Sequence, residues 1–203
     1  DITETAFNYW KEMKDLLNEH KKYIIINIAN EWIGTFSLNK DNLWKDAIKS
    51  MREIGIENAI MIDASGYGQE TGPITKNAKK VVDADPDKNI IFSYHVYASL
   101  GLNDKTLYKG FDGLKNTGVC WVVGEFGWRH SLVNVVYKTL MNYCQEKGIG
   151  WLIWSWAGNS GGDELLDLTS ANTFSRNDLT NWGKDVLYEE NGIKSTSKKT
   201  YDN

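Results

Sequence analysis

Two short, nearly continuous apolar runs, each ending in a glutamate, limit what this chain can fold into more than any other feature. The first, Tyr23-Ile24-Ile25-Ile26-Asn27-Ile28-Ala29, runs into Asn30-Glu31-Trp32; the second, Val119-Cys120-Trp121-Val122-Val123, runs into Gly124-Glu125-Phe126-Gly127. Strands covered on both faces read this way, and such strands belong to parallel sheets. Ligands of those sheets sit at the carboxyl ends of the strands, so a charge placed there is aimed at a site. A single Glu of this kind is most simply a solvated residue past a strand. Two in matching positions point to a site, because paired carboxylates can do acid/base or nucleophilic work on a glycosidic bond.

The rest of the chain supplies the elements such a sheet needs. Ala6, Trp10, Met13, Leu16 and Leu17 recur at helical spacing and predict an amphipathic helix over 3–19. Leu43, Trp44, Ala47, Ile48 and Met51 predict a second helix over 41–54, stopped at Gly55. There follow a strand at 59–63, a loop over 64–71, a helix over 74–83, a turn at 84–87 and a strand at 90–95. A helix over 104–116 precedes the strand ending at Glu125. A helix over 131–147, stopped at Gly148, precedes a strand at 150–156, and a polar loop over 157–165 leads to a last helix over 177–188. Five strands thus alternate with helices at a repeat of about thirty residues, the βα unit of a parallel sheet with right-handed crossovers.

Two tempting motifs fail. Gly66-Tyr67-Gly68 lacks the third glycine of a dinucleotide fingerprint. The Asp83, Asp85, Asp87 triplet resembles the start of a calcium loop, but Lys88 stands where glycine is required and Tyr94 where the closing Glu should be. Cys120 and Cys144 are too few for a disulfide framework and lack metal-ligand spacing, so both read as small buried hydrophobes.

With 203 residues, 41% of them apolar, the expectation is one globular domain over 1–203 with a buried core. A net charge of −4 gives no basic field for a phosphate backbone, which argues against nucleic acid and anionic membrane surfaces. No run approaches the roughly 20 apolar residues of a membrane span, and Asp1-Ile2-Thr3-Glu4 lacks a signal-peptide pattern, so a soluble chain is expected. Nine Trp and ten Tyr against two Pro exceed what a core of this size needs, and flat rings suit the C–H faces of sugars.

The strand ends resemble the bacterial β-mannanases of glycoside hydrolase family 5. The matching stretches are 25–32, Met61-Ile62-Asp63-Ala64-Ser65-Gly66-Tyr67-Gly68-Gln69, Gly124-Glu125-Phe126-Gly127-Trp128-Arg129-His130 and Trp151-Leu152-Ile153-Trp154-Ser155-Trp156-Ala157-Gly158-Asn159. The resemblance implies an α/β fold of the (β/α)8 barrel type and cleavage of β-1,4-linked polysaccharide with retention of configuration. It implies Glu31 as acid/base at the end of barrel strand four and Glu125 as nucleophile at the end of strand seven. A retaining mechanism needs its two carboxyl groups roughly 5 to 5.5 Å apart. By the same resemblance Asn30 would hydrogen-bond the sugar's 2-hydroxyl, His95 and Tyr97 would orient the nucleophile, and a sugar ring would stack on Trp154. Trp32, Tyr67, Trp128 and Trp156 would line neighbouring subsites; Arg129 and His130 match as well. The residues alone leave a surface imidazole and a packed phenol as the alternative for His95 and Tyr97, and core or rim packing for each Trp.

Counted against the family's order, the chain holds strands four to eight of an incomplete barrel. Two long edges and an open apolar interior are then expected, and the family's arginine and histidine from the early strands have no counterpart. The outcomes that follow are part of a longer secreted enzyme, a short form closed by homo-oligomerisation, or a protein that binds glycan without cleaving it. An endoglucanase is the alternative among enzymes, since cellulose and mannan differ only at the 2-hydroxyl. A two-carboxylate mechanism calls for no cofactor and no metal.

Overall fold

A computed structural model of the chain describes residues 2–170 and 173–198. The chain groups into two compact units, Asp1–His95 with Tyr108–Gly124, and Val96–Leu107 with Glu125–Asn203. The first unit is built on a four-stranded sheet in the order β1 (Ile25–Asn27), β2 (Ala59–Asp63), β3 (Ile90–Val96), β4 (Trp121–Phe126). β1 pairs with β2 in parallel, Ile25 opposite Ala59 and Asn27 opposite Met61. β2 pairs with β3 in parallel, Ile60 opposite Ile90 and Asp63 opposite Ser93. Helices α1 (Ile2–Glu19), α2 (Lys40–Glu53), α3 (Thr71–Ala84) and α4 (Asp104–Lys115) alternate with these strands, as the repeat predicts.

β2 and β3 are rich in Ile and Phe, and Ile60, Ile62 and Phe92 are fully buried. α2 turns Trp44, Ala47, Ile48 and Met51 inward at helical spacing. The Trp44 ring meets Phe92 edge-on at 6.1 Å, and its Nε1–H donates to the Asp63 carbonyl oxygen at 3.1 Å, which satisfies the buried indole. α3 starts at Thr71 rather than 74, because Pro73 in a first turn gives up only an N–H that has no helical partner. Gly55 follows α2 at φ +92, the left-handed stop expected of it.

The rejected aspartate triplet has a structural role. Asp85 is buried in the turn before β3, and its two carboxylate oxygens accept from Arg52 Nε at 2.8 Å and from a terminal Arg52 nitrogen at 2.9 Å. Arg52 also donates to the carbonyls of Ile56 and Asn58, and the N–H groups of Asp87 and Asn89 donate to Asp85. α2, the turn before β2 and the turn before β3 are thereby fastened at one point.

In the second unit α5 (Tyr137–Lys147) and α6 (Asn181–Tyr188) contribute the buried Leu140, Cys144, Trp182 and Val186, Phe126 is buried as well, and a short α7 (Ile193–Thr196) follows. Phe126 meets Trp151 and Trp182 edge-on at 5.5 and 6.0 Å. Thr180 caps α6 by accepting the Gly183 N–H at 3.0 Å.

Four expectations are corrected. The first strand is three residues long instead of seven, because Tyr23 closes the turn after α1 by donating to the His20 carbonyl. The helix expected from 131 begins at Tyr137. Residues before it form a small antiparallel pair, β5 (Arg129–His130) and β6 (Val133–Asn134), in keeping with the extended preference of Val133 and Val135. No regular strand forms over 150–156. Trp154 N–H donates to the Phe126 carbonyl, but Ser155 and Trp156 bond to Leu166, Leu168 and Thr169, so the returning loop takes the groups that a ladder would use. Cys144 is buried as expected, whereas Cys120 is exposed: it lies just before β4, where its carbonyl accepts from Phe92 N–H and its side chain reaches solvent. Ile25 on this short edge strand is 55% exposed, and Tyr23 in the turn before it 74%.

Asp85 yields a stability prediction. Burial pushes its carboxyl up, but the Arg52 guanidinium and the two backbone N–H groups outweigh this and hold it below the usual carboxylate range. A group with a depressed folded pKa stabilises above its unfolded value and loses that contribution as pH falls through the folded one. Asp85→Asn, which removes the buried anion of Arg52 and leaves it only the exposed Asp87 carboxylate at 3.4 Å, is expected to cost about 3 kcal/mol at pH 7 in urea unfolding. It should also flatten the loss of stability of the unsubstituted chain below about pH 4.

Candidate active site

Parallel pairing brings the ends of β1, β2 and β3 to one edge of the first unit, and three ionisable side chains meet there. Asp63 ends β2 and is 1% exposed, His95 is the penultimate residue of β3 and 2% exposed, and Glu31 follows β1. The Glu31 backbone N–H donates to Asp63 Oδ2 at 2.8 Å, and Asn27 Nδ2 donates to Asp63 Oδ1 at 2.7 Å. His95 Nδ1 lies 2.7 Å from Glu31 Oε1, and His95 Nε2 lies 3.5 Å from Asp63 Oδ1. Burial alone would raise the Asp63 pKa; the imidazole and the Glu31 N–H hold it below the usual carboxylate range instead. Asp63 is therefore a buried anion.

Glu31 sits at φ +49, in the left-handed region that non-glycine residues seldom occupy. The bond from its N–H to Asp63 holds that conformation against a cost on the order of 1–2 kcal/mol. Its side chain remains about a quarter exposed, so one face of the carboxyl is open.

The loop after β2 supports the imidazole from behind. Gly66, Tyr67 and Gly68 are all left-handed, at φ +63, +56 and +74. The loop is tied down by Gly66 N–H to the Ile33 carbonyl at 2.8 Å and Glu70 N–H to the Ser65 carbonyl at 3.0 Å. The Glu70 carboxylate accepts from Ser65 Oγ at 2.6 Å and pairs with Lys40. Gly68 accepts the His95 N–H at 2.8 Å, and a Cβ on Gly68 would lie 2.3 Å from His95 Cγ. The Gly-Tyr-Gly sequence that fails as a nucleotide motif is thus a cradle for a histidine.

The predicted residues fall as follows. In the first unit Glu31 and His95 are joined directly, so the imidazole is buried against the acid/base candidate and is not a surface group. Asn30 and Tyr67 are exposed, Tyr67 by 59%. Trp32 is partly buried, and its Nε1 has no hydrogen-bond partner among the described residues.

In the second unit Glu125 is the penultimate residue of β4 and is buried, and Tyr97 is buried with its ring 5.4 Å from that of His130. Trp154 presents an exposed indole whose Nε1 donates to Asn159 Oδ1 at 2.8 Å, while Asn159 Nδ2 donates to Asp167 Oδ1 at 2.6 Å and to Ser155 Oγ. Trp128 Nε1 donates to the Leu165 carbonyl, and its ring lines a pocket of about 380 Å3 with Tyr137, Thr180 and Trp182. Trp156 Nε1 donates to the Thr173 carbonyl, and its ring stacks on the exposed Phe174 at 5.9 Å.

Asp63 and Asn27 are the residues that sequence reasoning passed over. For Asp63 the available signal was a charge ending an apolar strand, the same pattern that singled out the glutamates; for Asn27 it was a polar residue interrupting an apolar run.

Residues 1–160 match the Cellulase (glycosyl hydrolase family 5) family, and the chain belongs to it. A mannan endo-1,4-beta-mannosidase of Salipaludibacillus agaradhaerens is 38% identical over 197 residues, covering 95% of this chain and 62% of the relative. A beta-mannanase/endoglucanase A of Caldicellulosiruptor saccharolyticus is 34% identical over 194 residues, 14% of its own length. Among solved structures, the mannotriose complex of Thermomonospora fusca beta-mannanase superposes with a TM-score of 0.88 at 34% identity, covering 97% of this chain and 65% of that one. The chain therefore spans less than two thirds of the length of these proteins.

Gly68→Ala is expected to lower the unfolding free energy by roughly 2–4 kcal/mol, since the new methyl must displace the imidazole as well as sit at positive φ. Gly148→Ala is the control: φ is +67 there too, but a Cβ would meet nothing within 4 Å. It should cost only about 1 kcal/mol in the same thermal or urea measurement.

Proposed function

We propose that this protein hydrolyses β-1,4-linked mannan internally, by a retaining mechanism in which Glu31 is the acid/base and Glu125 the nucleophile. The observation that carries this reading is the built environment of Glu31: in a glycosyl hydrolase family member, a strand-end carboxyl is held through backbone and side chain yet keeps one open face. The protonated Glu31 carboxyl gives its proton to the glycosidic oxygen while the Glu125 carboxylate attacks the anomeric carbon. The C–O bond breaks and a glycosyl ester of Glu125 forms. Glu31, now ionised, takes a proton from water, whose oxygen displaces Glu125 from the same carbon. Two inversions leave the configuration retained.

Trp154 offers an indole face already fixed by Asn159, suited to the C–H face of a sugar ring. Mannan is preferred over cellulose because the mannosidase relatives match along most of the chain. The relative that carries both activities in its name supports endoglucanase action as the second reading. A polymeric substrate places the protein outside the cell. Self-association through the exposed β1 edge belongs to the same reading, and native mass measurement checks it.

The chain should release reducing ends from β-1,4-mannan faster than from carboxymethyl cellulose. Glu125→Gln should reduce that release by at least about 1,000-fold, as expected when a nucleophile is removed. Retained activity in that variant rejects the assignment, and mannan affinity without cleavage by the unsubstituted chain rejects hydrolysis in favour of glycan binding.

A further inference from the structure

We infer that Asp63 is a positioning residue for the acid/base, holding Glu31 at two points, through its backbone N–H and through the His95 imidazole. The inference rests on the proposed role of Glu31. Asp63 is buried under that carboxyl, so it acts on the reaction through what it holds. Its Oδ2 accepts the Glu31 N–H at 2.8 Å, which fixes the left-handed turn on which the Glu31 side chain is mounted. Its Oδ1 faces His95 Nε2 at 3.5 Å, and the other ring nitrogen, Nδ1, is 2.7 Å from Glu31 Oε1. Asn27 Nδ2 donates to the same Oδ1 at 2.7 Å and keeps the carboxylate from rotating.

The buried anion also decides which nitrogen carries the proton. A carboxylate beside Nε2 favours N–H there, as it does for other histidines whose second nitrogen does chemistry. In the neutral imidazole Nδ1 is then an acceptor, and its neighbour at 2.7 Å has to be the donor. That is the protonated Glu31 carboxyl with which the reaction begins. The ring therefore holds the acid form of Glu31 in the resting site, and the single O–H given to Nδ1 there turns to the leaving oxygen when substrate arrives. Gly68, closing on the back of the ring, prevents the imidazole from swinging away.

Asp63→Asn tests this. An amide can still accept the Glu31 N–H, but it then turns its NH2 group toward Asn27 Nδ2 and His95 Nε2–H, so one hold is exchanged for a repulsion. A displaced acid should cost about 100-fold in kcat/KM on β-1,4-mannan. The loss in kcat/KM should be under about 5-fold on 2,4-dinitrophenyl β-mannobioside, whose leaving group needs no proton. With that substrate, azide should raise kcat of the variant by attacking the anomeric carbon of the Glu125 ester, forming a glycosyl azide and freeing the carboxylate without a base.

Asn27→Ala, a milder change outside the ion cluster, should show the same substrate selectivity at about a tenth of the loss. Nitrogen-15 shifts of the His95 ring provide a readout independent of turnover: the unsubstituted protein should carry the proton on Nε2, and Asp63→Asn should shift it toward Nδ1. Equal losses on both substrates, no loss on either, or a ring protonated at Nδ1 in the unsubstituted protein would each overturn the inference. If the unsubstituted protein hydrolyses neither substrate while the ring is protonated as expected, the proposed function fails and the hold on Glu31 stands.

Discussion

Burying a carboxylate costs several kcal/mol of hydration unless donors replace the lost water. At Asp63 those donors come from two places in the fold: the side chain of Asn27 on β1 and the backbone of Glu31 in the loop beyond it. The imidazole of His95 on β3 faces the same anion. The anion stays ionised only while β1, β2 and β3 keep their register, and the register in turn sets where Glu31 stands. A slip of one residue in β1 would send Asn27 to the other face of the sheet and leave Asp63 short of a donor. Packing and chemistry are therefore specified by the same contact, since the backbone carbonyl of Asp63 also accepts the indole N–H of Trp44, the largest fully buried side chain among the described residues.

Much of this was legible in the sequence because the informative signals were local. The strand at 59–63 and the helix ends at Gly55 and Gly148 are set by short-range patterning and by one residue that tolerates positive φ, and they stand where expected. Both glutamates were legible for the same reason, each being a charge that ends an apolar run. What could not be read depended on partners distant in sequence. The run at 150–156 has the composition of a strand, but composition says nothing of whether residues 166–169 will take its backbone groups. The imidazole of His95 has a definite partner only because a loop 27 residues earlier in the chain, centred on Gly68, closes behind it, and a count of residues gives no hint of that approach.

Trp154 illustrates a different device. A free indole on a surface loop samples several rotamers, and covering it with a ligand costs that freedom. Here the ring nitrogen is bonded to Asn159, whose amide is bonded in turn to Asp167 and Ser155. The indole is held in one orientation by these bonds, so covering it would order less of the protein than covering a free ring.

The brevity of β1 has its own meaning. An edge strand joined to the sheet by three residue pairs, with Ile25 55% exposed, has few contacts to hold it against local opening. Because Glu31 hangs from the end of that segment, its availability is governed by local opening and closing of the edge as well as by global stability. A ligand that engages the carboxyl in its closed arrangement would favour the paired strand by mass action. Occupancy of the site and ordering of the sheet's edge then become one equilibrium, visible as slowed amide exchange along β1 whenever the site is filled.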